Sequence, residues 1–147
     1  MEILTKSAKE TKKLASKIAK TLKGGEVLAL SGDLGSGKTT FVQGLAKGFG
    51  IKERVLSPSY VLIRQHKIKN LKSEIGNLIH VDLYRLSGVQ ETEMIGLTEF
   101  IGKKENVVVI EWAERAGDLF GKSALHIDFE YGKNNQRKII LDKRIKI

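Results

Sequence analysis

Residues 31–40 read SGDLGSGKTT, and Gly32-Asp33-Leu34-Gly35-Ser36-Gly37-Lys38-Thr39 satisfies G-x-x-x-x-G-K-[ST]. Each fixed position has a chemical reason. Glycines let successive backbone N–H groups turn inward around a phosphate, with no Cβ to block its approach. Lys38 brings an ammonium to the β- and γ-phosphates, and the Thr39 hydroxyl offers an oxygen to Mg²⁺. A helix starting near Lys38 adds the positive end of its dipole. With 15 Gly, 20 Lys and 16 Ser plus Thr in 147 residues, composition alone yields about 0.02 such matches, so a ligand-free glycine turn is a poor explanation.

A phosphate loop binds; phosphoryl transfer also needs an acid at a strand end, for the metal or the attacking water. Glu111 closes the apolar run VVVI, the pattern of a Walker B strand, and is placed to hold Mg²⁺ through water. Asp82 closes LIHV. It either orients the nucleophile or is an ordinary acid at a strand terminus. In an open α/β sheet both ends can face the loop, because ligands bind at the carboxyl ends of strands. Ser57-Pro58-Ser59 stands where a switch loop would place a hydroxyl on the γ-phosphate, or is a turn into a strand. Trp112, the only tryptophan, sits at the site rim or fills core, and core is the default. His80 reads as a paired strand residue rather than a catalyst. No H-x-x-x-H or H-E-x-x-H occurs, which argues against zinc.

The elements that must position these residues follow from periodicity. Ser7 and Glu10 fit a capping box. Leu14, Ile18 and Leu22 then mark an amphipathic helix with lysines outside, ended by Gly24-Gly25. VLAL, Val27–Leu30, has strand length. TTFVQGLAKGF is a helix with Phe41, Leu45 and Phe49 on one stripe and Gly50 as its stop. A strand follows Pro58. Lys69–Asn77 is a turn region, and NLIHVDLYR alternates, with Leu78, His80, Asp82 and Tyr84 on one face. Glu91–Gly102 reads as a short helix or two. VVVIEW is apolar on both faces, the mark of a buried central strand. ALHIDFEY and RKIILDKRIKI form a hairpin around Gly132-Lys133-Asn134-Asn135.

The length, 147 residues, suits one domain over 1–147. The absence of cysteine excludes disulfides, thiolate metal sites and cysteine nucleophiles. No apolar stretch approaches the ~18 residues of a membrane span, and MEILTKSAKETKK has no apolar signal region, which points to the cytoplasm. The net charge of +9 favours nucleic acid or an acidic protein as a partner, yet no arginine cluster or aromatic-basic interleaving accompanies it, and a solvated lysine surface is the plainer reading.

Taken in order, GDLGSGKTT, SPSY, HVDLYR and IEW resemble the TsaE (YjeE) family, the small ATPases of bacterial tRNA threonylcarbamoyladenosine synthesis. The resemblance covers most of the chain and weakens in the C-terminal hairpin. It implies an α/β, three-layer P-loop fold, with a central mixed sheet flanked by helices. It also implies slow, Mg²⁺-dependent ATP hydrolysis in support of TsaB and TsaD, which modify ANN-decoding tRNAs. The chain would not itself be the threonylcarbamoyl transferase. It would reach tRNA indirectly through that complex, with no membrane and no DNA partner. By the same resemblance Asp33, Leu34, Gly35, Ser36, Gly37, Lys38, Thr39 and Thr40 contact nucleotide. Thr39 and Glu111 serve the metal, and Lys38, Asp82 and Glu111 serve catalysis, with Trp112 and Ser59 beside them. Ser7 and Ala8 are placed on the adenine side. Ser59 stands where the family often has threonine and Ser36 where alanine is frequent.

Three other readings make different demands. A small-molecule kinase commonly carries an arginine-rich lid, whereas Arg54, Arg64, Arg85, Arg115, Arg137 and Arg144 are scattered in sequence, with no obvious arginine finger near the loop. A guanine-specific switch needs N-K-x-D, which is missing. An RNA-binding module would bind RNA in a salt-sensitive way that survives Lys38→Ala.

Overall fold

The computed structural model describes residues 1–56, 63–70, 73–85, 96–117 and 119–147. A run of β-branched residues without alternation needs cover on both faces, so it belongs in the middle of a sheet. Strand β5 (Asn106–Glu111) is buried at every position. It lies between β2 (Val27–Gly32) and β4 (Asn77–Asp82), parallel to both. The remaining strands are β1 (Glu2–Thr5), β3 (Ile63–Lys67), β6 (Leu125–Tyr131) and β7 (Arg137–Leu141), giving the order β1-β7-β6-β2-β5-β4-β3. Strand β6 also runs parallel to β2. The antiparallel pairs β1–β7, β6–β7 and β3–β4 lie toward the two edges. The carboxyl ends of β2, β4, β5 and β6 and the start of β7 therefore share one edge of the sheet.

Helix α1 (Ala8–Ala19) starts at Ser7, whose Oγ accepts the Glu10 N–H at 3.1 Å. Glu10 reaches back to the N–H of Lys6, at 2.6 Å, rather than to that of the cap itself. The helix ends at Ala19, earlier than Gly24-Gly25. There the Thr21 hydroxyl takes the Ile18 carbonyl at 2.8 Å and a turn carries Leu22 onto the core edge. Helix α2 (Lys38–Gly48) buries Phe41, Val42 and Leu45. The two helices pack against each other on one face of the sheet. Their approach is close at Gly44, where an added Cβ would lie 2.5 Å from the Lys12 carbonyl oxygen.

The opposite face buries Val27, Ala29, Ile79, Val81, Val108 and Ile110. Among the described residues, 3₁₀ turns at Leu97–Glu99 and Ala113–Ala116 and the side chains of Phe120 and Ala124 cover it. Of the helical expectation for 91–102, only the turn Leu97–Glu99 falls among them as helix. Leu97, Phe100 and Ile101 span a single turn, which suffices to seat them on the sheet. Residues 91–95 lie outside the described ones. Strand β1 has no strong period of its own; only its pairing with β7 makes it a strand. No described helix is long and apolar enough to cross a membrane.

Candidate nucleotide-binding site

Strand β2 runs into the glycine loop and α2 leaves it. The N-cap of α2 is Gly37, at φ 106°, and no side chain caps it. The amides of the first turn are therefore left for a ligand, at the positive end of the helix. Gly35 has φ 76°, and a Cβ there would come within 2.8 Å of the Tyr131 hydroxyl. Lys38 is buried. Its ammonium donates to the carbonyls of Gly32 and, at 2.9 Å, Asp33. It also stands 4.1 Å from the centre of the Trp112 ring, a cation–π contact. Burial pushes this ammonium below its ordinary value, while Glu111, Glu114, Asp33 and Asp82 oppose the shift.

The two strand-end acids stand side by side, Asp82 on β4 in register with Glu111 on β5. Both are buried. Neighbouring carboxylates on one sheet face repel unless a cation offsets them, and the fields of both reach Lys38. The Thr39 hydroxyl donates to Glu111 Oε1 at 2.7 Å, and His80 Nε2 lies 2.5 Å from Glu111 Oε2. Asp82 Oδ1 accepts the Tyr84 N–H at 2.9 Å, a local turn that fixes the carboxylate at the strand end. The hydroxyl and two carboxylates are hard oxygen donors. They fit Mg²⁺, which is usually held by one or two carboxylates together with substrate phosphates.

These groups line one cavity of about 410 Å³. Of the residues singled out from sequence, the cavity gathers Leu34, Gly35, Gly37, Lys38, Thr39, Thr40, Asp82, Glu111 and Trp112. Ser7 and Ala8 line it as well. Asp33 and Ser36 do not line it. Asp33 holds Lys38 through its carbonyl, and Ser36 is buried with its Oγ 3.5 Å from Nζ. Ser59, with Ser57 and Pro58, lies outside the described residues. Both readings of Trp112 hold in part: it lines the cavity and packs against the core under the sheet's second face. Trp112 is half-buried at φ 58°, with the Lys38 ammonium over its ring and the Tyr84 ring 5.0 Å away between centres.

Five lining residues have no place in the sequence reading of the site: Thr11, Tyr84, Arg85, Asn135 and Arg137. Tyr84 and Arg85 belong to HVDLYR; Tyr84 could have been found from the alternation it shares with Asp82, whereas Arg85 falls out of that alternation. Asn135 and Arg137 come from the hairpin and carry no local signal. Arg137 stands at the loop, where no obvious arginine finger was expected. Arg137 donates to the Gly35 carbonyl at 3.3 Å and covers the Tyr131 ring at 4.9 Å, while Tyr131 donates to the Leu34 carbonyl. The Arg115 guanidinium lies 5.8 Å from the Trp112 ring.

Such a loop between a central parallel strand and a helix, over two strand-end acids, defines a nucleotide-binding α/β protein of the P-loop class. A family profile described as threonylcarbamoyl adenosine biosynthesis protein TsaE matches residues 5–139. The chain is 40% identical over 116 residues to the tRNA threonylcarbamoyladenosine biosynthesis protein TsaE of Aquifex aeolicus, covering 78% of this chain and 77% of that one. It is 36% identical over 135 residues to the protein of the same name from Bacillus subtilis, covering 92% and 80%. A crystal structure of Bacillus subtilis YdiB superposes with a TM-score of 0.73 at 31% identity, covering 96% of this chain and 83% of that one. The chain belongs to the TsaE family, whose place is in tRNA threonylcarbamoyladenosine biosynthesis. The profile runs through Arg137, so the shared region extends into the hairpin, where a weaker resemblance was expected.

Proposed function

We propose that this chain is a cytoplasmic, Mg²⁺-dependent ATPase, one P-loop unit over residues 1–147. In this reading it is slow alone and stimulated by TsaB and TsaD, and it reaches tRNA only through them. The observation that carries the reading is the Thr39–Glu111 hydrogen bond beneath the glycine loop, with Asp82 in register beside it. That is the arrangement a metal-nucleotide site needs: amides and an ammonium for the phosphates, hydroxyl and carboxylate oxygens for the cation.

The roles follow from chemistry. Lys38 leaves the carbonyls of Gly32 and Asp33 for the β- and γ-phosphates, a better acceptor for a charged donor. The backbone N–H groups of residues 33–40 take phosphate oxygens. Mg²⁺ supplies charge neutralisation when bound, and Thr39 and Glu111 are the groups that would hold it. Asp82 orients the attacking water or accepts its proton. Arg137, already at the loop, offers its guanidinium to the same phosphates. It must first release the Gly35 carbonyl, which fits unaided turnover well below the ~10 s⁻¹ enzyme median.

The test is calorimetry of ATP with and without Mg²⁺, followed by reconstitution with TsaB and TsaD while ATP consumption and modified tRNA are scored. Magnesium-dependent ATP binding and partner-stimulated hydrolysis are expected. No adenine nucleotide binding, or fast turnover without partners, refutes the reading.

A further inference from the structure

We propose that His80 is a positioning residue. Its imidazole fixes the carboxylate of Glu111 in the orientation that, with Thr39, receives the nucleotide-bound divalent cation. The inference rests on the ATPase reading above and adds to it a residue that belongs to neither the loop nor the strand-end acids.

Sheet geometry brings the pair together. His80 on β4 is in register with Val109 on β5, so Glu111 is its diagonal neighbour, two residues further along. Long side chains reach across such a diagonal on one face. The pair is sealed, with side-chain exposures of 0% and 4%, and Nε2 to Oε2 is 2.5 Å. A carboxylate only accepts, so the ring nitrogen is the donor. The other oxygen takes the Thr39 hydroxyl at 2.7 Å. A carboxylate gripped at one oxygen can still rotate; gripped at both, its plane is set. With its proton committed to Oε1, Thr39 keeps its lone pairs for a cation.

The other nitrogen shows what the ring is there for. His80 Nδ1 is buried and has no hydrogen-bond partner among the described residues. Burying such an atom costs stability, and its strand neighbours Ile79 and Val81 carry no such burden. An apolar residue would serve packing better, so the reason for a histidine lies at Nε2. His66 offers the contrast. It too leaves a ring nitrogen, Nε2, buried without a partner among the described residues, and it meets Glu53 at the same 2.5 Å, but Glu53 is 58% exposed and does not line the cavity. An orphaned nitrogen alone therefore marks no site; what sets His80 apart is that its partner is the sealed carboxylate that also takes the Thr39 hydroxyl.

The experiment is a Mg²⁺ titration of the fluorescent analogue mant-ATP on the full chain, with EDTA as the metal-free reference. For His80→Leu the Mg²⁺ midpoint is expected to rise about 10-fold or more, the usual scale for partners of a metal ligand, while binding in EDTA stays at the wild-type level. His80→Gln, whose amide can donate to Glu111, is expected to return within about 3-fold of wild type. If His80→Leu does not fold by circular dichroism, His80→Asn, polar but too short to reach Glu111, takes its place with the same expectation. A wild-type midpoint in the non-donating variant, or equal shifts for the donating and non-donating ones, overturns the inference alone. Wild-type protein that binds mant-ATP without regard to Mg²⁺ overturns the ATPase reading, a separately visible result.

Discussion

The glycine loop and the C-terminal hairpin build the same cavity from opposite kinds of information. The loop closes on itself: Lys38 bonds to carbonyls 6 and 5 residues back. The hairpin reaches the loop across the chain: Tyr131 meets Leu34 over 97 residues and Arg137 meets Gly35 over 102. The loop holds groups whose identity the chemistry fixes, and the hairpin holds the loop. Removing a loop group should therefore abolish function without harming the fold. Removing a hairpin group should weaken function in degree.

The largest effect is expected from Lys38→Ala. Losing the Lys38 ammonium should cut ATP hydrolysis by about 10³-fold or more, with at most a small change in melting temperature, since relief of the ammonium's desolvation and loss of its offset to Glu111 and Asp82 oppose one another. Hydrolysis at the wild-type rate would dissolve the contrast at once. Next come Glu111→Ala and Asp82→Ala, each expected to reduce single-turnover hydrolysis by about 10²-fold. Only the first should raise the Mg²⁺ requirement. Equal effects of the two on Mg²⁺ dependence would remove the distinction between metal acid and water-orienting acid.

The same contrast explains what could be read from sequence. The loop was legible because its motif lies in adjacent residues with fixed spacing, and Glu111 because an unbroken β-branched run announces its strand. Asp82 was less so: an acid after LIHV looks like any strand end until β4 and β5 are set in register. Trp112 and His80 needed the neighbours themselves, since a ring beside an ammonium and a ring beside a carboxylate are facts of packing. Arg137 was illegible. Parallel pairing of β6 with β2 brings the hairpin to the loop, and sheet order is not written in any window of the chain. Strand β1 was missed for the same reason.

Arg137→Gln tests the hairpin's share directly. It removes one guanidinium whose hydrogen-bond partners among the described residues are all backbone carbonyls. A hydrogen bond to a charged group contributes about 1.5–3 kcal/mol, so ATP affinity should fall about 10- to 100-fold, and AMP affinity much less. An affinity loss as large as that of Lys38→Ala would make the hairpin an equal partner in phosphate binding. No loss at all would reduce it to a buttress.

The smallest effect isolates the hairpin's anchor from the site. Beyond the end of β7, Asp142 accepts from Arg144 Nε at 2.9 Å and Nη2 at 2.8 Å, and Arg144 in turn donates to the carbonyls of Lys122 and Ala124. The hydrogen bonds from Arg144 hold the Asp142 carboxyl well below its ordinary value of 3.8. The sign follows from proton counting: in the interval below 3.8 the unfolded chain binds more protons than the folded one, so stability falls as pH falls. The contribution is fully present above that value and fades as pH drops through it toward the lower folded value. Asp142→Asn should therefore lower the melting temperature by a few degrees near pH 7, and the difference from wild type should shrink near about pH 3. The affinity for ATP at neutral pH should stay within about 2-fold, because Arg137 and Tyr131 hold the loop from the other end of β7 and from β6. A pH-independent difference would mean that the carboxylate's charge contributes nothing to the anchor. A parallel loss of ATP affinity would mean that the hairpin moves as one rigid piece, so that its distant end governs the site as strongly as its near one.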